Sequence, residues 1–408
     1  TSHLKWSIAA SEAAARGEAE GAMVQRCDYL VVGAGMAGAS LGYELSAHGQ
    51  VVVLERENAP GYHATGRSAA VFAPSYGNML ARRLTRASRS LFEAPPAGFA
   101  EHRLITPRGV LYIAAPGDEA ALEELAVQMA GAGAPGAFLD ARQMAMRVPV
   151  LRGDRLVRGL YDSTAMDIDV HGLHQGYVTG LRRAGGILAL NAEVGEITRA
   201  GGAWRVATRA GAFEAPVLID AAGAWGDEVA RLAGVAPLGL TAMRRTVASF
   251  DPPEGIDPAS WPMVVAASED LYFKPDAGRI LVSPADETES APCDAQAEEI
   301  DIAVAMDRLQ RVTSLAPRRI AHKWAGLRTF TPDRLPVAGF DPVAEGFFWL
   351  VGQGGTGIQM APALARVASA LVRNEALPED VSRHDIELAE FSPARASLCH
   401  ASADVGPA

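Results

Sequence analysis

The chain has 408 residues, 49% hydrophobic and 21% charged, enough apolar material for a sizeable core and two domains, which excludes an intrinsically disordered chain. A net charge of −11 and a pI near 5.4 leave no basic footprint for nucleic acid, and no apolar run reaches the length of a membrane span. Three cysteines at wide spacing (Cys27, Cys293, Cys399), with no C-x-x-C and no histidine cluster, argue against a disulfide framework and a zinc site.

Residues 1–22 contain no apolar h-region and are expected to be a disordered extension, so the protein is expected in the cytoplasm, with the folded pattern opening at Met23. Residues 28–56 read DYLVVGAGMAGASLGYELSAHGQVVVLER: an apolar run, Gly33, Gly35 and Gly38 in G-x-G-x-x-G spacing, a helical segment, and a second apolar run ending at Glu55. Gly33 permits the tight turn, Gly35 lets a pyrophosphate approach the backbone, and Gly38 lets the helix pack on the strand. The helix N-terminus offers free N–H groups to phosphate, and the Glu55 carboxylate can accept both hydrogens of a ribose diol. A dinucleotide site follows, but NAD and FAD share this fingerprint. The next stretch, GYHATGRSAAVFAPSYG (61–77), supplies Thr65, Gly66, Arg67 and Ser68, hydroxyls and a cation suited to a second part of a long cofactor.

Further along, 80–93 reads as a helix, 103–114 as a strand pair and 118–131 as an amphipathic helix. Asp169 is placed to cap a helix ending at Gly185-Gly186. Residues 187–221 alternate in a way that predicts strands returning to the first sheet, ending at the small residues of AAGAW (221–225). Strands over 238–284 and a helix at 297–315 predict a separate sheet. A second glycine-rich turn, GQGGTGIQ, precedes a helix that runs toward 372 and can complete the cofactor site from the far end of the chain.

Taken together, G-x-G-x-x-G with Glu55, GRSAA, AAGAW, AGLRTFTPD and GQGGTGIQ resemble the FAD-dependent amine and D-amino-acid oxidoreductases, the group of glycine oxidase, sarcosine oxidase and D-amino acid dehydrogenases. Within it the resemblance is strongest to the bacterial D-arginine dehydrogenases, through matches such as PGYHATGRSAA, MRRT, KPDAG, WAGLR and AEGFFW. The resemblance implies an α/β (α+β) fold, with a Rossmann-like FAD-binding domain assembled from discontinuous segments (23–80, 166–235 and 322–392). It also implies a substrate-binding domain with a large mixed β-sheet (81–165 and 236–321) and a tail at 393–408. It implies noncovalent FAD, in keeping with the expectation that no cysteine lies near the flavin-binding loops. The cofactor would be held by Gly33, Gly35, Met36, Ala37, Gly38, Glu55, Arg56, Thr65, Gly66, Arg67, Ser68, Ala69, Val194, Ala222, Gly223, Trp225, Gly354, Gly355, Gly357 and Ile358.

By the same resemblance, Arg245, Tyr272 and Arg328 stand where family members bind the substrate carboxylate, and Tyr76 stands at the tyrosine of a lid. A planar guanidinium fork suits that task. Arg244 and Arg245 are neighbours in a strand, so at most one enters the pocket. The implied reaction is hydride transfer from Cα to flavin N5, followed by hydrolysis of the imino acid to a keto acid and ammonia, with no dedicated catalytic base. The electron acceptor is left open among a quinone, another redox partner and O₂.

Val71, Val110 and Gly355 would line the substrate pocket. Val71 replaces a lid histidine, Val110 replaces the glutamate that meets a guanidinium in D-arginine dehydrogenases, and Ala73 replaces a lid threonine. A preference for small or apolar over cationic D-amino acids follows, unless Glu269 or Asp270 reaches in to replace the lost acid. Rival readings are an oxidase of glycine or secondary amines, in which Lys274 could assist oxygen, a 2-hydroxy acid dehydrogenase, and a non-catalytic flavin protein. The paired arginines argue against the last.

Overall fold

A computed structural model describes residues 24–399 except Ala132 and Pro135. The expected extension at 1–22, Met23 and the end of the tail therefore lie outside the described residues.

The glycine turn behaves as its spacing demands. Tyr29–Val32 forms a buried strand, Met36–Leu45 a helix and Val51–Leu54 a second buried strand. Gly33 has φ +100° and a Cβ there would fall 2.6 Å from the Ala221 carbonyl oxygen, so only glycine fits. A Cβ on Gly38 would lie 1.9 Å from the Gly33 carbonyl oxygen, which fixes how closely the helix approaches the turn. These strands belong to a six-stranded sheet ordered Ile187–Ala189, Val51–Leu54, Tyr29–Val32, Val217–Asp220, Phe347–Val351, Val337–Phe340. All neighbours are parallel except the last pair. Helices Met36–Leu45, Met79–Glu93 and Gly357–Val372 pack their apolar faces on one side of it, around Leu41, Leu84, Phe348 and Leu364. Strands buried on both faces read as continuous apolar runs, which is why VVVL and FFWLV carry no alternation.

The second layer is a nine-stranded mixed sheet. Its order is Thr288–Glu289, Thr241–Phe250, Arg279–Ser283, Tyr272–Asp276, Met263–Ala266, Val110–Ala114, Arg158–Asp162, Ala137–Leu139, with His322–Phe330 also paired to Thr241–Phe250. Helix Glu299–Val312 covers one face through Ile302, Ala305 and Leu309.

Two expectations are corrected. Of the strands in 187–221, only Ile187–Ala189 and Val217–Asp220 return to the first sheet. Val194–Ala200, Ala203–Thr208 and Gly211–Ala215 instead form an antiparallel meander with Val24–Arg26. The tight turns at Gly201-Gly202 and before Gly211 favour that local pairing. Likewise His322–Phe330, assigned from sequence to the cofactor-binding segments, pairs along its length with Thr241–Phe250 in the nine-stranded sheet. The helix at Glu119–Gly131 is present, but it buries only Leu122 and Met129.

Candidate functional site

One large cleft runs between the six-stranded and nine-stranded sheets. At its base the helix Met36–Leu45 starts without a side-chain cap on Gly35, and its first intrahelical bond is Ala39 N–H to the Gly35 carbonyl, so early N–H groups are left for a ligand. Thr65 Oγ1 accepts from Met36 N at 2.9 Å, tying the 61–69 segment across this turn. Glu55 is 7% exposed and accepts from Ala34 N and Glu57 N, both at 3.0 Å. Each of its oxygens keeps a second lone pair. Burial pushes this carboxyl upward, and the two N–H bonds oppose the shift.

Below the AAGAW turn, Asp220 is fully buried, with Oδ1 accepting from Ala222 N and Oδ2 unpartnered among the described residues. Burial pushes this carboxyl well above the usual carboxylate range, with the bond from Ala222 N opposing the shift. Gly223, at φ +58°, and Ala222 give the cleft a wall without bulk. At the other end Gly354 has φ +55°, where a Cβ would meet the Phe330 ring at 2.4 Å, and a Cβ on Gly355 would lie 2.9 Å from an Arg328 nitrogen. A groove with a free helix N-terminus, a buried acid and a glycine wall at each end fits a long dinucleotide.

The cleft brings together most of the residues expected to hold the cofactor. Gly33, Gly35, Met36, Ala37, Glu55 and Arg56 line it at the first turn, and Thr65, Arg67, Ser68 and Ala69 along the following segment. Val194, Ala222, Gly223 and Trp225 line it as well, and so do Gly354, Gly355, Gly357 and Ile358. Gly38 and Gly66 do not line it. Gly38 lies in the first turn of the helix, against the Gly33 carbonyl, and Gly66 closes its own turn by donating to the Gly61 carbonyl at 2.8 Å.

Arg67 lines the wall, but its guanidinium is committed to the carbonyls of Ala295 (2.9 Å) and Ala325 (3.0 Å) and to Asp294. That commitment draws Cys293 and Ala295 into the lining, so a cysteine distant in sequence stands in the cleft after all. The Cys293 thiol is free and exposed. Sequence reasoning also missed Tyr62 and His63. The His63 ring lies 4.7 Å from Trp225, Arg56 stacks on Trp225 at 5.0 Å, and Arg67 covers Tyr62 at 5.1 Å, forming a column along the rim. Nothing local in HATGR reveals a partner so far along the chain.

Arg245, Tyr272 and Arg328 all line the cleft. Arg245 is opposite Gly326, and Arg328 opposite Met243, so both arginines share one sheet face. Arg244 points the other way, to Glu298 and Asp301. Burial, and next the nearby Arg328 cation, lower the affinity of Arg245 for its proton. Tyr76 is not in the lining. It is 40% exposed, close enough to Arg245 to interact with its charge.

Val71 and Val110 also lie beyond the cleft itself, in an apolar cluster with Ala73, Tyr112 and Leu160. Met263 and Val265 pack both on this cluster and on the one containing Tyr272 and Ala69, joining the two. Both were missed because a strand of apolar residues does not reveal which face meets a site. Of the two acids in the 268–270 turn, Asp270 accepts from Ser268 at 2.6 Å and pairs with Arg308, whereas Glu269, in the turn at φ +56°, is near enough to Tyr112 of the Val110 cluster for its charge to act on that phenol. Lys274 is buried and paired with Asp167 at 2.6 Å, whose other oxygen holds Arg108 at 2.6 Å. This is a structural network joining the large sheet to the segment Met166–Ile168. The segment expected to form a lid is pinned, with Ser75 Oγ donating to Asp162 at 2.9 Å and Ala73 N to Gln359 at 3.0 Å.

Residues 28–371 match the family model described as DAO, FAD dependent oxidoreductase. Glycine oxidase of Geobacillus kaustophilus is 24% identical over 379 residues, covering 88% of this chain and 96% of that protein. Its crystal structure superposes with a TM-score of 0.79 at 22% identity, over 91% of this chain and 99% of that one. The crystal structure of L-proline dehydrogenase from P.horikoshii superposes with a TM-score of 0.76 at 17% identity, over 91% and 98%. Uncharacterized oxidoreductase YurR of Bacillus subtilis (strain 168) is 28% identical over 179 residues, 42% of this chain and 46% of that protein. The matched stretch thus spans under half of that relative, and the structural likenesses are likenesses of fold. Among the described residues, no helix is long and apolar enough to cross a membrane.

Proposed function

The chain belongs to the DAO family of FAD dependent oxidoreductases, and from that premise we propose that it oxidatively deaminates D-amino acids with small or apolar side chains. The observation that carries this reading is the pair Arg245 and Arg328 on one sheet face, both opening into the cofactor cleft beside Tyr272. Two guanidinium groups without a full complement of carboxylates suit a substrate carboxylate.

The residues expected to hold the cofactor are those lining the cleft from the Gly33 turn to Ile358, with no covalent bond. When bound, FAD supplies a two-electron acceptor for the substrate's α-hydrogen. Arg245 and Arg328 would hold the carboxylate and so orient the α-carbon, the main contribution this chain makes to rate. Tyr76 would close the site from its rim. The substrate loses a hydride from Cα and a proton from nitrogen, and water converts the imino acid to keto acid and ammonia. The apolar cluster of Val71 and Val110 beyond the cleft, joined to the Tyr272 cluster through Met263 and Val265, supports a preference for apolar side chains.

The nearly full-length match to a glycine oxidase favours a second reading, oxidation of glycine or a secondary amine on the same clamp. Anaerobic mixing with D- and L-amino acids, N-methylglycine and 2-hydroxy acids, following the flavin absorbance, separates the two. Rapid bleaching by D-leucine, D-methionine or D-phenylalanine supports the first reading. Bleaching by glycine or N-methylglycine alone replaces it with the second.

A further inference from the structure

The two arginines of the clamp are held differently. The Arg328 guanidinium makes no hydrogen bond or ion pair with a described residue. Arg245 donates Nε–H to the Asp286 carbonyl at 2.7 Å and a terminal N–H to Glu287 Oε1 at a longer 3.3 Å. The Asp286 carboxylate is turned away, accepting from Thr246 N and Oγ1 at 2.7 and 2.9 Å. Glu287 is shared: Arg334 Nη2 lies 3.0 and 3.1 Å from its two oxygens. Arg334 is half exposed and rests on the Phe330 ring at 3.8 Å.

The orientation of Arg245 therefore rests on the Asp286 carbonyl, and Glu287 adds a negative charge held chiefly by a different cation. A carboxylate at 3.3 Å and 37% exposed is easily displaced, and a second carboxylate on the same guanidinium is repelled by it. We propose that Glu287 is a built-in competitor for the carboxylate clamp. It shields Arg245 in the free enzyme and is retained by Arg334 when a substrate carboxylate arrives, so the Glu287–Arg334 pair sets carboxylate affinity and disfavours substrates bearing a second carboxylate. This rests on the reading that Arg245 and Arg328 hold the substrate carboxylate.

The two members of the pair have opposite expected signs. Removing the acid frees Arg245, whereas removing Arg334 leaves Glu287 to pair with Arg245 more strongly. The test titrates the FAD-loaded protein with acetate, benzoate and glutarate, reading the dissociation constant from the flavin absorbance change. Glu287→Gln, and Glu287→Ala as a second variant, should tighten acetate and benzoate about two- to fivefold and glutarate by more. Arg334→Gln should weaken all three by a similar factor, and the double variant should behave like Glu287→Gln. Weakening in both Glu287 variants would mean the acid orients Arg245, and unchanged constants would mean it is a bystander; either overturns the proposal. The control is Arg245→Ala: if it binds benzoate as tightly as the unaltered protein, the clamp reading itself fails and this one with it.

Discussion

Arg245 and Arg328 lie diagonally across the antiparallel pair Thr241–Phe250 and His322–Phe330, each two residues from the position opposite the other. Strand alternation then sends both toward the cleft and sends Arg244 to the helix Glu299–Val312. Replacing either clamp residue by alanine is expected to cost about 2–5 kcal/mol in kcat/KM, non-additively, with FAD retained. Steady-state kinetics of the two single variants and the double variant check this. Arg244→Ala should instead lower thermal stability with little effect on kcat/KM.

Gly38 has no room for a side chain, since a Cβ would stand 1.9 Å from the Gly33 carbonyl oxygen. Gly38→Ala must push the helix off the turn that faces the cofactor. Overpacking of this kind costs about 1–3 kcal/mol or more. The variant is expected to be purified with less FAD and to melt lower, by absorbance at the flavin band and by calorimetry.

Asp220 gives the protein a pH dependence whose sign can be worked out. Its folded-state pKa is raised well above that of an exposed carboxyl, chiefly by burial. The stability it contributes is therefore full below its unfolded pKa of about 3.9 and is lost as pH rises through the folded value. Asp220→Asn, which keeps an acceptor for Ala222 N and cannot ionise, should gain on the unaltered protein as pH rises from about 4 toward 8. Melting temperatures across that range check it, and a difference that shrinks with rising pH contradicts it.

Cys293 stands in the lining of the cleft, so attachment of the flavin must be tested directly. Acid precipitation is expected to release FAD into the supernatant from both the unaltered protein and Cys293→Ser. Yellow colour remaining in the pellet of the first but not of the second would reveal a thioether.

Val110 is 2% exposed, packed among Tyr112, Leu160 and Ala73, and lies opposite Asp162 across the strand pair. Val110→Glu buries a carboxyl close to another, which raises its pKa and destabilises the fold. A guanidinium in the pocket would offset both effects. kcat/KM for D-arginine relative to D-leucine is expected to rise at least about tenfold in this variant, more at higher pH, while the unaltered protein prefers D-leucine. A lead of D-arginine or D-lysine in the unaltered protein would sink the apolar-pocket reading.

The dinucleotide turn was legible in the sequence because every constraint on it is short-range. Gly33, Gly35, Gly38 and Glu55 are governed by backbone sterics and by strands and a helix contiguous in the chain, and Asp169 caps its helix from a fixed three-residue distance to Gly172 N. The opposed directions of Arg244 and Arg245 follow from strand alternation alone. Register between distant strands was not legible. Only pairing decided that His322–Phe330 belongs with Thr241–Phe250, that the meander over 194–215 leaves the first sheet, and that Met263 and Val265 join the Val110 cluster to that of Tyr272. The same holds for Arg67, whose place was foreseen but whose partners Asp294 and Ala295 were not, and for His63 against Trp225 and Glu287 between Arg245 and Arg334. These contacts join segments far apart in sequence, and they are selected by which packing buries the most apolar surface while leaving few buried polar groups without a partner, a condition on the whole chain that no local stretch contains.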